Sequence, residues 1–181
     1  MDDAELLRLF AQEESKHFAF NLLVKQYHRR VYMVIRKLVI VHEDADDLTQ
    51  EVFLRVWTKL DEFERMSSLF TWLYRIATNE ALAHLRRKRL RFFIPIHDVE
   101  GDLLKHLQSP SAYLDGDEAA LKLQKALLHL PEKQRLVFNL KYFEDLTYEQ
   151  IQEITGTSVG ALKASYHLAV KKVQAQLGHD A

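Results

Sequence analysis

Two amphipathic segments near the end of the chain, 146–154 and 158–169, are separated only by Thr155-Gly156-Thr157. Two apolar stripes of helical spacing joined across three residues around one Gly can bury themselves only by folding against each other as a helix pair. That arrangement is the mark of a helix-turn-helix, whose second helix enters the DNA major groove. Thr147 followed by Gln150 has the spacing of a capping box opening the first helix of the pair.

The rest of the chain follows the same period. Only five Gly and three Pro interrupt 181 residues, and no sustained alternation argues for strands. Helices are expected over 2–11, 16–40, 44–60, 69–89, 117–130, 131–142, 147–155 and 158–177. The second carries Phe18, Leu22, Leu23, Tyr27, Val31, Val34, Ile35 and Leu38. The third places Leu48, Val52, Phe53, Val56, Trp57 and Leu60 on one face, with Asp47, Gln50, Glu51 and Arg55 opposite. Pro131 suits a helix start, where its missing N–H costs nothing. Residues 92–116 differ in kind: Phe92-Phe93-Ile94-Pro95 is aperiodic, and Gly101, Ser109-Pro110-Ser111 and Gly116 break any long helix. They read as a linker with at most a short helix near 102–107, longer than connections inside a compact domain usually run. The expected fold class is all-α: two small helical domains, 1–91 and 117–181, joined by a flexible linker, the second ending in the helix-turn-helix.

No apolar run approaches the roughly 20 residues of a membrane span, and Leu38-Val39-Ile40-Val41 is only a short one. Met1-Asp2-Asp3 lacks the basic start of a signal peptide. With no cysteine there are no disulfides and no thiolate metal sites, which fits a cytoplasmic protein. The nine histidines are scattered, with no His-x-x-x-His pair, so no metal and no cofactor is expected. A Gly-rich phosphate loop and a nucleophile in a recognisable setting are both missing, so no enzyme is expected either.

The formal net charge of −1 hides a strong segregation. Acids crowd into Glu43, Asp44, Asp46, Asp47 and Glu51; bases crowd into Arg86-Arg87-Lys88-Arg89 and Arg91. Such a chain can offer one face to an acidic partner and another to a basic one. Taken alone, Glu43, Asp44 and Asp46 read best as surface acids that suit a helix dipole. Between the clusters runs Phe70-Thr-Trp-Leu-Tyr-Arg-Ile-Ala-Thr-Asn79. Trp72, Leu73 and Ile76 are expected to pack inward, while Tyr74, Arg75 and Asn79 need not. Rings and cations interleaved, then a basic run, suit single-stranded DNA, whose bases stack while its phosphates meet cations.

In this order the features resemble bacterial sigma factors. The segment Asp46-Asp-Leu-Thr-Gln-Glu-Val-Phe-Leu-Arg-Val-Trp57 is similar to their polymerase-binding helix, and 70–79 to the adjoining promoter-melting segment. Leu130-Pro-Glu-Lys-Gln-Arg-Leu-Val-Phe138 and Tyr142-Phe-Glu-Asp-Leu-Thr-Tyr-Glu-Gln-Ile151 resemble the start of the second sigma domain. Size and two-domain plan resemble the extracytoplasmic-function (ECF) group. The resemblance implies that Asp47, Gln50, Glu51, Leu54 and Arg55 meet the clamp helices of the polymerase largest subunit. It implies that Phe63, Ser67, Ser68, Phe70, Tyr74, Arg75 and Asn79 read the −10 element as extruded bases, with Arg86, Arg87, Lys88 and Arg89 on phosphates just upstream. It further implies that Thr157, Ser158, Lys163, Ser165, Tyr166, His167 and Lys171 meet the −35 major groove, with Val159, Leu162 and Leu168 packed inward. Many members carry Arg where this chain has Ser165, Leu168 and Val170, which implies weaker Arg-based reading of guanine. Implied partners are core RNA polymerase, through its clamp helices and flap, promoter DNA and an anti-sigma factor, without membrane insertion.

One other reading stays open on the residues alone, a stand-alone helix-turn-helix regulator that would use 1–91 as an effector or dimerisation domain. A third, a helical enzyme with a carboxylate-bound metal at Asp46 and Asp47, fails for lack of matching ligands elsewhere in the sequence.

Overall fold

A computed structural model describes residues 2–92 and 118–179. Four helices form the first group: α1 (Asp3–Phe10), α2 (Lys16–Val39), α3 (His42–Lys59) and α4 (Leu69–Phe92). Four more form the second: α5 (Glu118–Leu128), α6 (Glu132–Tyr142), α7 (Tyr148–Thr155) and α8 (Val159–His179). Among the described residues every regular element is helical, as the spacing predicts. Most of the expected linker, and the short helix expected near 102–107, lie outside the described residues.

Helix α2 is the spine of the first group. Leu23, Tyr27, Val31, Val34, Ile35 and Leu38 are all buried, a stripe with steps of three and four residues. Phe18, on the same apolar pattern, is instead exposed at the start of the helix. Tyr27 donates its hydroxyl to Asp3 at 2.7 Å, tying α1 to α2. Burial foremost, then that bond, pushes its pKa up to about 12. Trp57 of α3 is half-buried in an aromatic nest, edge-on to Phe10 at 5.6 Å and Phe20 at 5.0 Å. Ile40 makes the bend from α2 into α3 at φ 68°, an unusual value for a β-branched residue, with its side chain buried.

In the second group, Ala126, Leu127, Leu130, Phe138, Ala169 and Val173 form a small core of α5, α6 and α8. Pro131 is the residue just before α6 rather than its first turn. The capping box is present in both directions: Gln150 N–H donates to Thr147 Oγ1 at 3.2 Å, and Thr147 N–H donates to Gln150 Oε1 at 2.9 Å. Gly156 ends α7 at φ 70° and ψ 10°, its N–H bonded to the Gln152 carbonyl at 2.8 Å. That left-handed cap turns the chain into α8.

The two groups do not stand apart. Leu136, Val137, Leu140, Leu146, Ile151, Ile154 and Leu162 belong to the same buried cluster as the α2–α4 core. Helix α6 packs on α2, and α7 on α4.

A Cβ at Gly156 would meet nothing within 4 Å, so a substitution there tests the backbone alone. Gly156→Ala is expected to lower stability by about 1 kcal/mol through the left-handed φ, with Asn costing less. Urea unfolding of the two variants checks this.

Candidate functional site

The outward face of α3 is a stripe at steps of three and four residues: Asp47, Gln50, Glu51 and Leu54, all exposed, Leu54 to 68%. The opposite face is shut, since Ala45, Leu48, Val52, Phe53 and Val56 are buried and Thr49 turns its hydroxyl onto the Ala45 carbonyl at 2.7 Å. Acid, amide and one isolated leucine are therefore displayed together on a rigid element. Arg55 reaches across to Glu80 of α4 at 3.1 Å, and Glu80 is buried. The candidate face on α3 and the DNA-candidate helix are thus braced directly.

At the start of α4, Ser68 is committed locally: its hydroxyl accepts from Thr71 N–H at 3.1 Å and bonds Thr71 Oγ1 at 2.8 Å. This N-cap fixes the loop from 63 to 68 against the helix. Ser67 is half-buried, and Phe63 packs on Trp72 at 5.2 Å. Trp72 is only half-buried, less inward than its spacing suggests, whereas Leu73 is fully buried. Met66, 86% exposed at the loop tip, carries no signal in the sequence. Asn79 and Arg75 are exposed, and Arg75 Nε donates to the Glu153 carbonyl of α7 at 3.0 Å.

Tyr74, which by its spacing need not pack inward, does so. Its ring is fully buried, 4.1 Å from that of half-buried Phe70. Its hydroxyl donates to Glu144 Oε2 at 2.7 Å, while Lys37 Nζ meets Glu144 Oε1 at 3.1 Å. Arg30 lies over the Phe70 ring at 4.4 Å. Burial first, then the Glu144 carboxylate, raises the Tyr74 pKa far above the phenol range. A raised phenol stabilises the fold fully below its unfolded pKa, about 10. The contribution is lost only as pH rises through the higher folded value.

Further along α4, Arg86 and Arg87 are exposed, as expected of the basic run, but its other two members are engaged. Lys88 pairs with Asp44 of α3 at 3.1 Å, and Arg89 with Glu132 of α6 at 3.5 Å. His84 Nε2 lies 3.2 Å from the same Asp44 oxygen. Asp44 is therefore not the plain surface acid its position suggests: it is half-buried and anchors the basic end of α4.

On α8, Ser158 caps the helix by accepting from Ala161 N–H at 3.4 Å, and Thr157, Lys163, His167 and Lys171 are exposed. Lys163 Nζ lies 5.7 Å from the Tyr148 ring centroid. Ser165 and Tyr166 are half-buried. Tyr166 sits 5.8 Å from Phe138, and burial foremost raises its pKa. Leu162 is buried and Val159 half-buried, as expected. Leu168 is not: it is 49% exposed, because the inward stripe continues through Ala169 and Val173 instead.

Among the described residues, no group of three or more His, Asp or Glu side chains could hold a metal ion, and no helix is long and apolar enough to cross a membrane. Asp46 is paired with His42 at 3.3 Å and Asp47 is exposed, so the two carboxylates do not converge.

Residues 23–91 match the family model for sigma-70 region 2, and 120–173 match that for sigma-70 region 4. The chain is 34% identical over 155 residues to the RNA polymerase sigma-H factor of Pseudomonas aeruginosa, covering 81% of this chain and 79% of that protein. It is 32% identical over 167 residues to the ECF RNA polymerase sigma factor SigW of Bacillus subtilis, covering 88% and 89%. Among solved structures, the sigma factor RpoE in complex with the anti-sigma factor NepR from Bartonella quintana superposes with a TM-score of 0.68 at 25% identity, covering 90% and 98%. The fold of CnrH, in complex with the cytosolic domain of CnrY, is alike over 99% of both chains at a TM-score of 0.70.

Asp44→Ala releases Lys88 and His84 from α3 together. A stability loss of about 1 kcal/mol is expected for these half-buried contacts, with the fold kept. Chemical denaturation with circular dichroism checks it.

Proposed function

The chain belongs to the ECF group of the sigma-70 family of RNA polymerase sigma factors, and from that premise we propose how its surfaces divide the work of promoter-specific initiation. The exposed stripe of α3 docks on core RNA polymerase. Asp47, Gln50 and Glu51 suit a basic partner helix of the largest-subunit clamp, and Leu54 supplies an apolar anchor among them. This display of charge beside an exposed leucine, on a helix braced to α4 by Arg55 and Glu80, is the observation that carries the reading.

On the same rigid unit, the 63–68 loop and the start of α4 receive unpaired −10 bases. Phe63, Ser67, Ser68, Phe70, Arg75 and Asn79 supply rings and polar groups, and the exposed Arg86 and Arg87 hold phosphates. Tyr74, Lys88 and Arg89 join them only on leaving their acidic partners. Binding energy for unpaired bases offsets the cost of opening the duplex, so no nucleotide hydrolysis and no catalytic residue of the chain's own are required. The second group, from α5 to α8, presents α8 to the −35 groove: Thr157 and Ser158 at its N-terminus, then Lys163, Ser165, Tyr166, His167 and Lys171. Its contact with the polymerase flap belongs to the same reading. With Ser165, Leu168 and Val170 in place of longer cations, the −35 contact rests more on phosphates than on guanine edges. An anti-sigma factor that holds the chain away from polymerase is a further proposed partner, supported by the complex in which the related RpoE was solved.

The decisive experiment is transcription from a promoter library by purified core polymerase, with and without the chain. New start sites sharing a two-part upstream motif are expected. Absence of initiation and of core binding, alongside tight duplex binding by the chain alone, would favour a stand-alone regulator instead.

Two substitutions test the division. Gln50→Ala with Glu51→Ala is expected to weaken core binding about tenfold or more, two interface truncations at 1 kcal/mol or so each, without loss of fold. A pull-down titration against core reads this. Lys163→Ala is expected to weaken promoter binding and to reduce the salt slope by about 1. Filter binding over a salt series measures the change.

A further inference from the structure

The Glu144 carboxylate sits between two donors of the first helical group, Lys37 Nζ at 3.1 Å and the Tyr74 hydroxyl at 2.7 Å. The pair is largely shielded: the Lys37 and Glu144 side chains are 16% and 13% exposed. Around it stand the other parts of a nucleotide site. Arg30 and Lys37 lie seven residues apart on α2 and so share a face. Phe70 and Tyr74 lie four apart on α4, with the Arg30 guanidinium over the Phe70 ring at 4.4 Å and 5.9 Å from the Tyr74 centroid. A carboxylate with one donor on each oxygen has the charge and reach of the phosphate oxygens in a polynucleotide backbone. An ammonium, a guanidinium and two rings are the components with which proteins hold single strands. Neither Arg30, Lys37 nor Glu144 is singled out by the sequence pattern.

We propose that Lys37 and Tyr74, flanked by Arg30 and Phe70, form a backbone-phosphate site for single-stranded DNA, which Glu144 of the second helical group fills as an internal stand-in. The proposal rests on the reading of α4 as the −10 surface and adds α2 to it. In the closed chain the acid neutralises the site and occupies the Tyr74 hydroxyl. When the second group moves away, the same donors turn to the strand.

The test uses the full chain and a mixed-sequence oligodeoxynucleotide of about 12 nucleotides, within the span such surfaces cover. Fluorescence anisotropy reads the affinity across a salt series. Glu144→Ala is expected to raise single-strand affinity about tenfold, a typical size for such coupling. Glu144→Gln, which keeps the shape without the charge, is expected to raise it too. Adding Lys37→Ala to Glu144→Ala should remove the gain and lower the salt slope by about 0.7, the share of one phosphate on a single strand. Lys37→Arg in the same background should retain it. Circular dichroism melts exclude unfolding as the cause of any loss.

An unchanged affinity in both Glu144 variants would overturn the proposal. So would a double variant as tight, and as salt-sensitive, as Glu144→Ala alone, since opening would then act without Lys37. A gain of the same size on duplex of the same sequence would overturn the assignment to single strands. Failure of the wider reading looks different: core polymerase loaded with the Glu144→Ala chain would start no transcripts. Failure of the masked site alone leaves initiation intact and only the free chain's affinity and salt slope unmoved.

Discussion

The last carbonyls of α2 are the point on which the arrangement turns. A helix leaves its final C=O groups without partners inside the helix, and at a buried end each must find a donor. Here Arg135 of α6 donates to the Leu38 carbonyl at 3.0 Å, and Asn139 donates to the Lys37 carbonyl at 3.3 Å. Both side chains are buried, in a part of the molecule where losing the partner would strand a charge or an amide. A cation at a helix C-terminus also meets the negative end of the dipole. The spine of the first helical group is therefore finished by residues of the second, and the apolar contacts of Leu136, Val137 and Leu140 gather around that polar centre.

The charge distribution acquires a physical sense from the same contact. Several of the bases that suit a nucleic acid are matched in the closed chain by acids from elsewhere in the sequence. Asp44 takes Lys88, Glu132 takes Arg89, and Glu144 takes Lys37. Arg75 spends a donor on the Glu153 carbonyl. A net charge of −1 is then less at odds with DNA binding than it looks. Glu132 and Glu144 belong to the second group, so their pairing with α4 and α2 holds only while the groups are together. Separation would unveil positive charge on the first group at the moment a polyanion is to be met.

Much of this was legible in the sequence, and what escaped has a common cause. Helical spacing located all eight described α-helices, with ends shifted by a few residues, and the Thr147–Gln150 box and the Gly156 cap follow from local chemistry alone. The α3 stripe was equally readable, because one helix decides its own faces. Tyr74 and Asp44 were not. Asp44 sits on an outward-looking register of α3 and is engaged by the end of α4, whereas Tyr74 shares the buried face of Ala81 and Leu85 and its hydroxyl meets a carboxylate from the second group. Leu168 fails in the opposite sense: α8 buries Ala169 and Val173, and a stripe one residue over leaves the leucine outside. Single-helix periodicity cannot see a neighbour that arrives from 70 residues away.

How firmly the two groups hold together decides whether a partner can part them. Among the described residues the polar links are mostly single bonds, each worth about 1 kcal/mol net, with more for those to charged groups. The apolar share is a continuous patch rather than a full core, since α5, α6 and α8 keep a cluster of their own. A partner that binds only the parted form shifts the balance by its own differential affinity and no more. Reversing a hundredfold bias towards closure takes about 5.5 kcal/mol of such preference. That is within reach of a protein surface engaging the α3 stripe together with DNA on α4, and beyond a weak encounter with DNA alone. Under the proposed division of surfaces, an interface of this kind would make the α4 surface conditional on the polymerase, the order of events that promoter-specific initiation requires.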